Sequence, residues 1–515
     1  MKKLFNFRLP FVSFVAVILG VIVARLILCF DKLEILFPVI ILILASNFLV
    51  LCITLGRAHA NIIIYVCMAF AMFVMAVCSG LSHFSYINKD LDFIENGSYT
   101  ISGEISKVDY DSNAVYLKNI YIEELNITSN GSAKVYLLDN FNKSIVRGDA
   151  IKLSASVYVN DINDFIVADN QTITAYHLSR DGVEFCESSS LKSKFKRSVY
   201  SKLIETSLSA DTAEIEFAML FGDKDRLGDS TRNAYSVTGL AHILAVSGLH
   251  VGLVVSAIFF FTKRLLKNKH LISLLITLGV TMLYLYLCDF AISAVRAVLM
   301  TAVIYYAKAR GKLYDGLCGI SLAGIIILLV NPFDLFDVGF ELSFVVVFSL
   351  FALSPPIARF LKRYLPVKMA SSLSVCCSTF VGSSLIISYY FNSCSILAIL
   401  SNFIIIPIVS ISFTMLFVGV LIVSIVPYFK FLLVVPNLLF ELINILVGSI
   451  ANMKFSAILF STNIIGVVLG LFAIFVISDY VFLSRKQKAV IAGIIACFIG
   501  MTVVSEVYDI LENRV

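Results

Sequence analysis

Apolar runs separated by short polar segments dominate the chain, and most of them approach the length of a membrane-spanning helix. The runs lie at about residues 9–30, 33–56, 60–81, 235–262, 271–288, 290–308, 314–330, 339–353, 370–391, 395–448, 464–483 and 489–504. Because about 20 apolar residues cross a bilayer, this pattern predicts a mainly α, polytopic membrane protein with about 11–13 transmembrane helices.

The pattern changes between residues 83 and 190, where short apolar runs alternate with turn sequences such as SNGS. These runs lie at residues 99–108, 114–122, 133–138, 150–159, 165–167 and 172–177. Runs of this length, bounded by turn residues, predict β-strands. Five or six strands in about 90 residues predict one small β-barrel, for which an OB-like fold is the best match.

The positive charges predict how the chain is oriented in the membrane. Lysine and arginine cluster at the N-terminus and in loops near residues 263–269, 308–312, 359–363 and 485–488. Such loops stay in the cytoplasm, so we expect a cytoplasmic N-terminus and an extracellular β domain after three crossings. Alternation then requires an even number of crossings within 395–448. We expect a broken or re-entrant segment there, interrupted at Asn402 and Pro407.

Composition excludes a soluble enzyme, since 59% of the 515 residues are hydrophobic and the mean hydropathy is +0.93. Residues 84–190 carry eight Lys/Arg and sixteen Asp/Glu, a net charge of −8, against +5 for the whole chain. An acidic barrel repels a phosphate backbone at long range. A local basic groove and a role as a scaffold or docking domain both stay open. Only Cys186 lies in this domain, so we expect no disulfide within it.

The stretch TGLAHILAVSGLHVG, residues 238–252, places two histidines, a serine and three glycines at the start of an apolar run. Buried polar groups are costly in a membrane, so we expect this helix to face a protein interior or a water-filled path. His242 and His250 would share one broad face of the helix. Small residues at helical spacing predict a ridge for close packing, formed by Ala241, Ala245, Gly248 and Gly252.

Four further segments accompany this stretch in order: FGDKDRL (221–227), SAVRA (293–297), NPFDLFDVGFELSF (331–344) and LSN before Pro407 (400–407). The set closely resembles the ComEC family of competence proteins. The resemblance implies an inner-membrane channel of a bacterium that imports single-stranded DNA during natural transformation. It divides the chain into a three-helix block (1–82), an extracellular OB-like domain (83–190), an amphipathic helix and polar loop (191–234), the competence-type channel domain (235–508) and a tail (509–515).

The resemblance also implies site residues. Five side chains are candidates for the lining of a DNA path: His242, Ser247, His250, Arg296 and Asn402. Arg296 could instead pair with an acid such as Asp289, and the histidines could simply hydrogen-bond between packed helices. The other motif residues are expected to shape loops and helix ends: Asp223, Asp225, Arg226, Gly248, Gly252, Asn331, Pro332, Asp337 and Pro407. For the loop containing Asp223, Asp225 and Arg226 we expect a surface turn.

We expect no catalytic residue, cofactor or metal. Many family members continue into a metallo-β-lactamase-like domain, but none of the six histidines forms its His-x-His-x-Asp-His cluster. We therefore expect a short form whose nuclease is absent or a separate polypeptide.

No phosphate-binding Gly-x-x-x-x-Gly-Lys-Ser/Thr is present, so a cytoplasmic ATPase or an ion gradient would supply energy. A DNA receptor outside and a homo-oligomer are further expected partners. Two rivals stay open: a transporter or exporter of a smaller anionic solute, and a non-transporting scaffold.

Overall fold

The computed structural model describes residues 9–29, 60–88, 93–109, 113–137, 147–159, 171–177, 183–186, 188, 190–267, 269–309, 311, 315–395, 397–453, 458–481 and 483–512. The chain divides into two compact units. The barrel unit comprises Arg8–Ser198 and Ser321–Asp337, and the helical unit includes Val199–Ile320 and Val338–Val515. The predicted second span, residues 33–56, lies outside the described residues.

Helices account for most of the described chain, as the hydropathy pattern predicted. They are α1 (Leu9–Cys29), α2 (Ala60–Asn88), α3 (Leu191–Thr206), α4 (Ala210–Phe221), α5 (Asp229–Val237), α6 (Gly248–Leu265), α7 (His270–Leu287), α8 (Ile292–Ala309), α9 (Gly316–Val330), α10 (Val338–Leu361), α11 (Val367–Phe391), α12 (Ala398–Ile425), α13 (Val434–Ala451), α14 (Ile464–Ile477) and α15 (Arg485–Glu512).

Six helical segments among the described residues are long and apolar enough to cross a membrane. They are Cys67–Ile87, Gly248–Leu265, Val338–Leu361, Val367–Phe391, Ala398–Ile425 and Pro427–Ala451. Shorter apolar helices accompany them at Pro10–Arg25, Ile272–Leu287, Ile292–Ala307, Gly316–Val330 and Ile464–Ile477. The predicted mainly α, multi-pass membrane architecture is therefore confirmed.

The β domain of the barrel unit is a small closed barrel, as predicted. Its strands are β1 (Gly97–Asp109), β2 (Ala114–Ile122), β3 (Ile127–Ser129), β4 (Ser132–Tyr136), β5 (Ala150–Val159), β6 (Gln171–Tyr176) and β7 (Glu184–Cys186). Five of them pair in the order β1-β2-β4-β6-β5, and β5 returns to β1 to close the barrel. The β4–β6 pair is parallel and the other pairs are antiparallel. This connectivity is that of an OB-like barrel.

Side chains alternate between the barrel's interior and its surface, which is why period-2 runs predicted the strands. Ile101, Leu117, Val135 and Leu153 are fully buried in the core. The short strands β3 and β7 were not predicted, because three residues are too few to show a period. The predicted run at 165–167 lies outside the described residues.

The predicted interruption at Asn402 and Pro407 is wrong. Helix α12 continues through both residues, with Pro407 inside it. The break comes at Val426, which is extended (φ −126°, ψ 92°), and Pro427 then opens a 3₁₀ turn that leads into α13. A residue before proline avoids the helical region, and this preference prevails at Val426. At Pro407 the helix persists, since a membrane helix tolerates proline where neighbouring groups satisfy the freed carbonyl.

A buried ion pair in the barrel unit gives a test of its packing. Arg197 on α3 binds Asp149 just before β5, and the Asp149 side chain is 6% exposed. We expect Asp149→Ala to lower the free energy of unfolding of this unit by about 3 kcal/mol, because it leaves a guanidinium without its carboxylate. Thermal unfolding of the full chain in detergent measures the effect.

The matched control is Glu123→Ala, which removes an ion pair with Lys152 whose side chains are 40% and 42% exposed. Exposed pairs contribute less than about 1 kcal/mol. Equal shifts for the two variants would contradict the described packing of α3 on the barrel.

Candidate functional site

The signature segment 238–252 does not form the continuous helix that its apolar pattern predicted. Helix α5 ends at Val237, a 3₁₀ turn follows at Ala241–Ile243, and α6 begins only at Gly248. Ser247 is the N-cap of α6, and its hydroxyl accepts a hydrogen bond from the His250 backbone N–H at 3.2 Å. A serine hydroxyl satisfies an end donor that a helix leaves unpaired. The prediction that His242 and His250 share one helix face is therefore wrong.

Two of the three signature glycines lie in close contact with other parts of the protein. Gly239 has φ +75°, and a Cβ added there would lie 2.4 Å from Cβ of Ala398. A Cβ on Gly248 would lie 2.8 Å from Nη2 of Arg296. Gly252 has nothing within 4 Å of an added Cβ. The predicted small-residue ridge therefore packs at Gly248 but not at Gly252.

Arg296 lies where α6, α8 and α10 meet, a place we call the Arg296 junction. The side chain is buried, Nη1 donates to the Ser343 carbonyl, and the guanidinium carbon is 5.8 Å from the centre of the Phe344 ring. Ser293 Oγ donates to the Val246 carbonyl at 2.6 Å and ties α8 to the segment before α6. Within the described part of the chain no carboxylate pairs with Arg296. The junction therefore holds a positive charge with neutral groups.

His250 and Asn402 are enclosed in the helical unit. The His250 ring stacks on Phe413 of α12 with 4.3 Å between ring centres, and the residue is 1% exposed. Asn402 lies one turn after Ala398 on α12, on the side that approaches Gly239. Among the described residues, His250 Nδ1 and Asn402 Oδ1 have no hydrogen-bond partner. In this conformation neither side chain lines an open pore.

His242 differs from the other candidates because its side chain keeps solvent access. Desolvation by surrounding protein lowers the pKa of His242, a hydrogen bond with the Gly239 backbone raises it, and nearby Lys224 lowers it. His242 is exposed, unlike His250, Arg296 and Asn402, which are buried.

The predicted surface turn at 222–227 is instead buried. Asp223, Asp225 and Arg226 are 2%, 7% and 3% exposed. The Arg226 guanidinium carbon lies 4.3 Å from the centre of the Tyr200 ring and 5.6 Å from that of Phe217. Cation–π packing of this kind lets a charged loop enter the protein. The sequence did not reveal it, because Tyr200 and Phe217 lie on two earlier helices.

The Asn331-Pro332 pair in the barrel unit separates α9 from a 3₁₀ turn. The Asn331 side chain accepts a hydrogen bond from the Phe333 backbone N–H at 3.3 Å and donates to Asp334 Oδ1 at 2.5 Å. Asp337 ends the turn just before α10, where its N–H donates to the Asp334 carbonyl at 3.1 Å. These residues shape the connection between two helices.

The barrel carries a second candidate surface, which sequence reasoning did not find. Neighbouring strands place aromatic and basic side chains in register on its outer face: Lys107 and Lys134 oppose Tyr116, and Tyr136 opposes Tyr176. We call the set the tyrosine–lysine face; its members are Lys107, Tyr116, Lys134, Tyr136, Tyr158 and Tyr176.

The side chains of this face contact one another. The Tyr136 and Tyr176 rings stack with their centres 5.0 Å apart, and Tyr158 meets Tyr176 edge-on at 5.9 Å. Lys134 Nζ lies 4.7 Å from the centre of the Tyr136 ring and 5.5 Å from that of Tyr116. Tyr158 and Tyr176 are exposed. The face is therefore a ready surface for planar, anionic ligands.

Substituting the signature glycines tests the geometry of the segment. We expect Gly239→Ala to destabilise the protein by about 2–4 kcal/mol, since it adds left-handed strain and overlap with Ala398. Gly248→Ala should cost about 1–3 kcal/mol, because it displaces Arg296. Gly252→Ala is the matched control and should be stabilising by about 0.5–1 kcal/mol, as expected inside a helix. Thermal unfolding of the full chain in detergent ranks the three; equal losses would contradict the geometry.

Comparison with known proteins places this architecture in a family. A family model described as "Competence protein" matches residues 219–485. ComE operon protein 3 of Bacillus subtilis (strain 168) is 34% identical over 200 residues, which cover 39% of this chain and 25% of that protein. Recombination protein 2 of Haemophilus influenzae is 25% identical over 179 residues, which cover 33% of this chain and 22% of that protein. An uncharacterised protein of Aquifex aeolicus is 27% identical over 229 residues, 44% of this chain and 51% of that protein.

The matched segments thus span from about a fifth to about half of these relatives' own lengths. No solved structure matches the chain. The family model covers residues 219–485 of 515, just over half of the chain and all of the signature segment. The chain therefore belongs to the competence protein family.

Proposed function

We propose that this protein takes part in DNA uptake during natural transformation, and that its helical unit forms an inner-membrane channel for single-stranded DNA. Family membership supports the role in uptake. The observation that carries the single-stranded substrate is the tyrosine–lysine face of the barrel, because stacked aromatic rings beside lysines match unpaired bases and phosphates.

The position of this face agrees with how OB-like barrels bind oligonucleotides, which use the second and third strands of the barrel. Here those strands are β2 and β4, which carry Tyr116, Lys134 and Tyr136. A base can stack on an exposed ring whatever its identity, so the face would hold a strand without reading its sequence.

The tyrosine–lysine face contains two of the domain's eight basic residues. Its two lysines are accompanied by tyrosines, and none of its six members is acidic. The pKa of Lys134 is raised: desolvation opposes the charge, but contacts with Tyr136 and Tyr116 outweigh it. Lys134 thus stays cationic. The remaining acidic surface would weaken non-specific adhesion of duplex DNA.

The helical unit supplies the polar groups that a strand would need in a membrane. His242 is exposed, and Arg296 holds a charge that no described carboxylate neutralises. Arg296, His250 and Asn402 are enclosed, so passage of DNA requires the contacts between α6, α8 and α12 to open. The described conformation is then a closed state, and a bound strand would shift the population towards the open one.

We further propose a cytoplasmic N-terminus and an extracellular barrel, on the strength of the cationic loops. A DNA receptor would then deliver the strand to the barrel. A cytoplasmic ATPase would pull it, since the chain carries no phosphate-binding loop of its own. A separate nuclease and a homo-oligomeric assembly complete the proposal.

Loss of one ring from the tyrosine–lysine face should weaken DNA binding. We expect Tyr176→Ala to reduce the affinity of the full-length protein for oligo-dT by about 5- to 160-fold, since a stacked base contributes about 1–3 kcal/mol. Fluorescence anisotropy with the protein in nanodiscs measures it. Tyr176→Phe keeps the ring and should retain affinity, and Tyr121→Ala removes an exposed ring elsewhere on β2. Equal losses for all three variants would argue against stacking on this face.

Neutralising Arg296 should stop uptake without removing the protein. We expect Arg296→Gln to lower transformation at least about 100-fold in a competent bacterium that lacks its own family member. The substitution removes the positive charge that would hold a phosphate at membrane depth. Transformant counts and membrane protein levels are the measurements. Arg359→Gln is the control, because Arg359 forms an exposed pair with Asp479. Normal transformation in Arg296→Gln would contradict the channel role.

The Arg296 variant does not separate the proposal from its rival, transport of a smaller anionic solute, because Arg296 would serve either anion. Proteoliposomes containing the native protein separate the two. Uptake of a labelled single strand under the pull of a motor supports the proposal. Flux of small anions that is insensitive to Tyr176→Ala, together with unchanged transformation in a deletion strain, supports the rival.

A further inference from the structure

Two carboxyl groups lie at one helix contact lined by hydroxyls, away from the Arg296 junction. Glu216 on α4 accepts a hydrogen bond from Ser207 Oγ at 3.1 Å. Glu441 on α13 accepts one from Ser209 Oγ at 2.9 Å and another from Thr212 Oγ1. Thr212 lies one turn before Glu216 on α4. The Glu441 carboxyl is therefore bound on the face of α4 that carries Glu216. We call Glu216 and Glu441 the carboxyl pair.

Glu216 is enclosed and short of hydrogen-bond donors, whereas Glu441 is half-buried. Glu216 is 0% exposed and Asn437, one turn before Glu441 on α13, is 1% exposed. Asn437 Nδ2 donates to Thr206 Oγ1 at 3.1 Å, which places it at the same contact. Among the described residues, Glu216 Oε1 and Asn437 Oδ1 have no donor. A buried oxygen without a donor is costly, so the contact is missing a hydrogen-bond donor.

The helices that carry the carboxyl pair offer it no positive charge. Helices α4, α12 and α13 contain no lysine, arginine or histidine. The charged groups at the end of α3, on α5 and in the 3₁₀ turn at 427–433 have other partners. Lys202 Nζ donates to the Val423 carbonyl, Glu205 pairs with Lys430, and Arg232 donates to the carbonyls of Lys224 and Asp225 and faces Asp229.

The remaining ionisable groups nearby do not supply the missing charge either. Tyr200 packs on Arg226, and burial raises the pKa of Tyr235 on α5, which therefore stays neutral. On α4 itself, Asp211 is exposed, and Glu214 points away because two residues turn a helix by about 200°.

We propose that Glu216, beside Glu441, is a proton-binding site whose proton helps to hold α4 against α13. Burial without a cation, and beside a second carboxylate, disfavours the ionised form of Glu216. A proton on Glu216 also provides a donor at the contact where two oxygens lack one. Release of that proton adds a second negative charge at the contact and weakens it. The site is separate from the proposed path for DNA and does not depend on it.

The pKa of Glu216 agrees with this geometry. Burial raises it, the Ser207 hydrogen bond lowers it, and the Glu441 charge raises it, with a result of about 8 against the ordinary 4.5. Because the folded pKa is the higher one, the folded protein holds the proton where the unfolded chain has lost it. The stabilisation is complete below about pH 4.5 and is lost as pH rises through about 8.

Infrared difference spectroscopy of the purified full chain tests proton binding directly. Between about pH 6 and about pH 10 we expect the protonated-carboxyl band to disappear with a midpoint near 8. Glu216→Gln should remove this band. Glu441→Gln should move its midpoint down, because the like charge is gone. Asp211→Asn, an exposed acid on the same helix, should leave the titration unchanged.

Thermal unfolding provides the second readout. The native protein should lose stability as pH rises through about 8, whereas Glu216→Gln, which mimics the protonated acid, should not. The proposal is overturned if the native protein shows no such band, or if both Gln variants titrate like the native protein. It is also overturned if replacing potassium by sodium at fixed pH displaces the proton, since the pair would then be a metal-ion site.

Discussion

The buried guanidinium of Arg296 constrains the arrangement of the helical unit more than any other single group. A charge in an apolar protein must be held by polar atoms, and here the Ser343 carbonyl of α10 holds it. Residue 248 on α6 has no side chain, and a Cβ there would lie 2.8 Å from the guanidinium. Three helices are thus fixed around one cation. The same cation gives a membrane protein a place where a phosphate could replace a carbonyl, which links packing to the proposed passage of DNA.

Hydropathy predicted the class and most of the helices, because burial in a bilayer depends on runs of residues that the sequence displays locally. Hydropathy did not predict helix ends that depend on a single polar atom or on a single backbone conformation. Ser247 lies within a continuous apolar run, yet its hydroxyl caps α6, and Gly239 adopts φ +75° against Ala398. The two prolines show the same limit. Pro407 remains inside α12 and Pro427 ends the helical path, although both follow isoleucine- and valine-rich sequence.

The barrel was predictable as a fold but not as a surface. Alternation gave its strands, whereas the tyrosine–lysine face depends on which strands become neighbours, and β4 pairs with the distant β6. Net charge did not reveal the face either, because it sums the two lysines of the face with acids from the whole domain. Glu441 did carry a signal, a single acid in an otherwise apolar helix. Its partner Glu216 could not be identified before α4 and α13 were seen together.

The most direct test of the proposed function is photocross-linking during uptake. A photoreactive phenylalanine derivative would replace Tyr176 or His242 in a competent cell, with Tyr121 as the control position. Illumination while labelled DNA enters should join the label to the protein at Tyr176 and His242, in a form sensitive to single-strand nuclease, and not at Tyr121. Undiminished uptake without cross-links at either position would contradict the account.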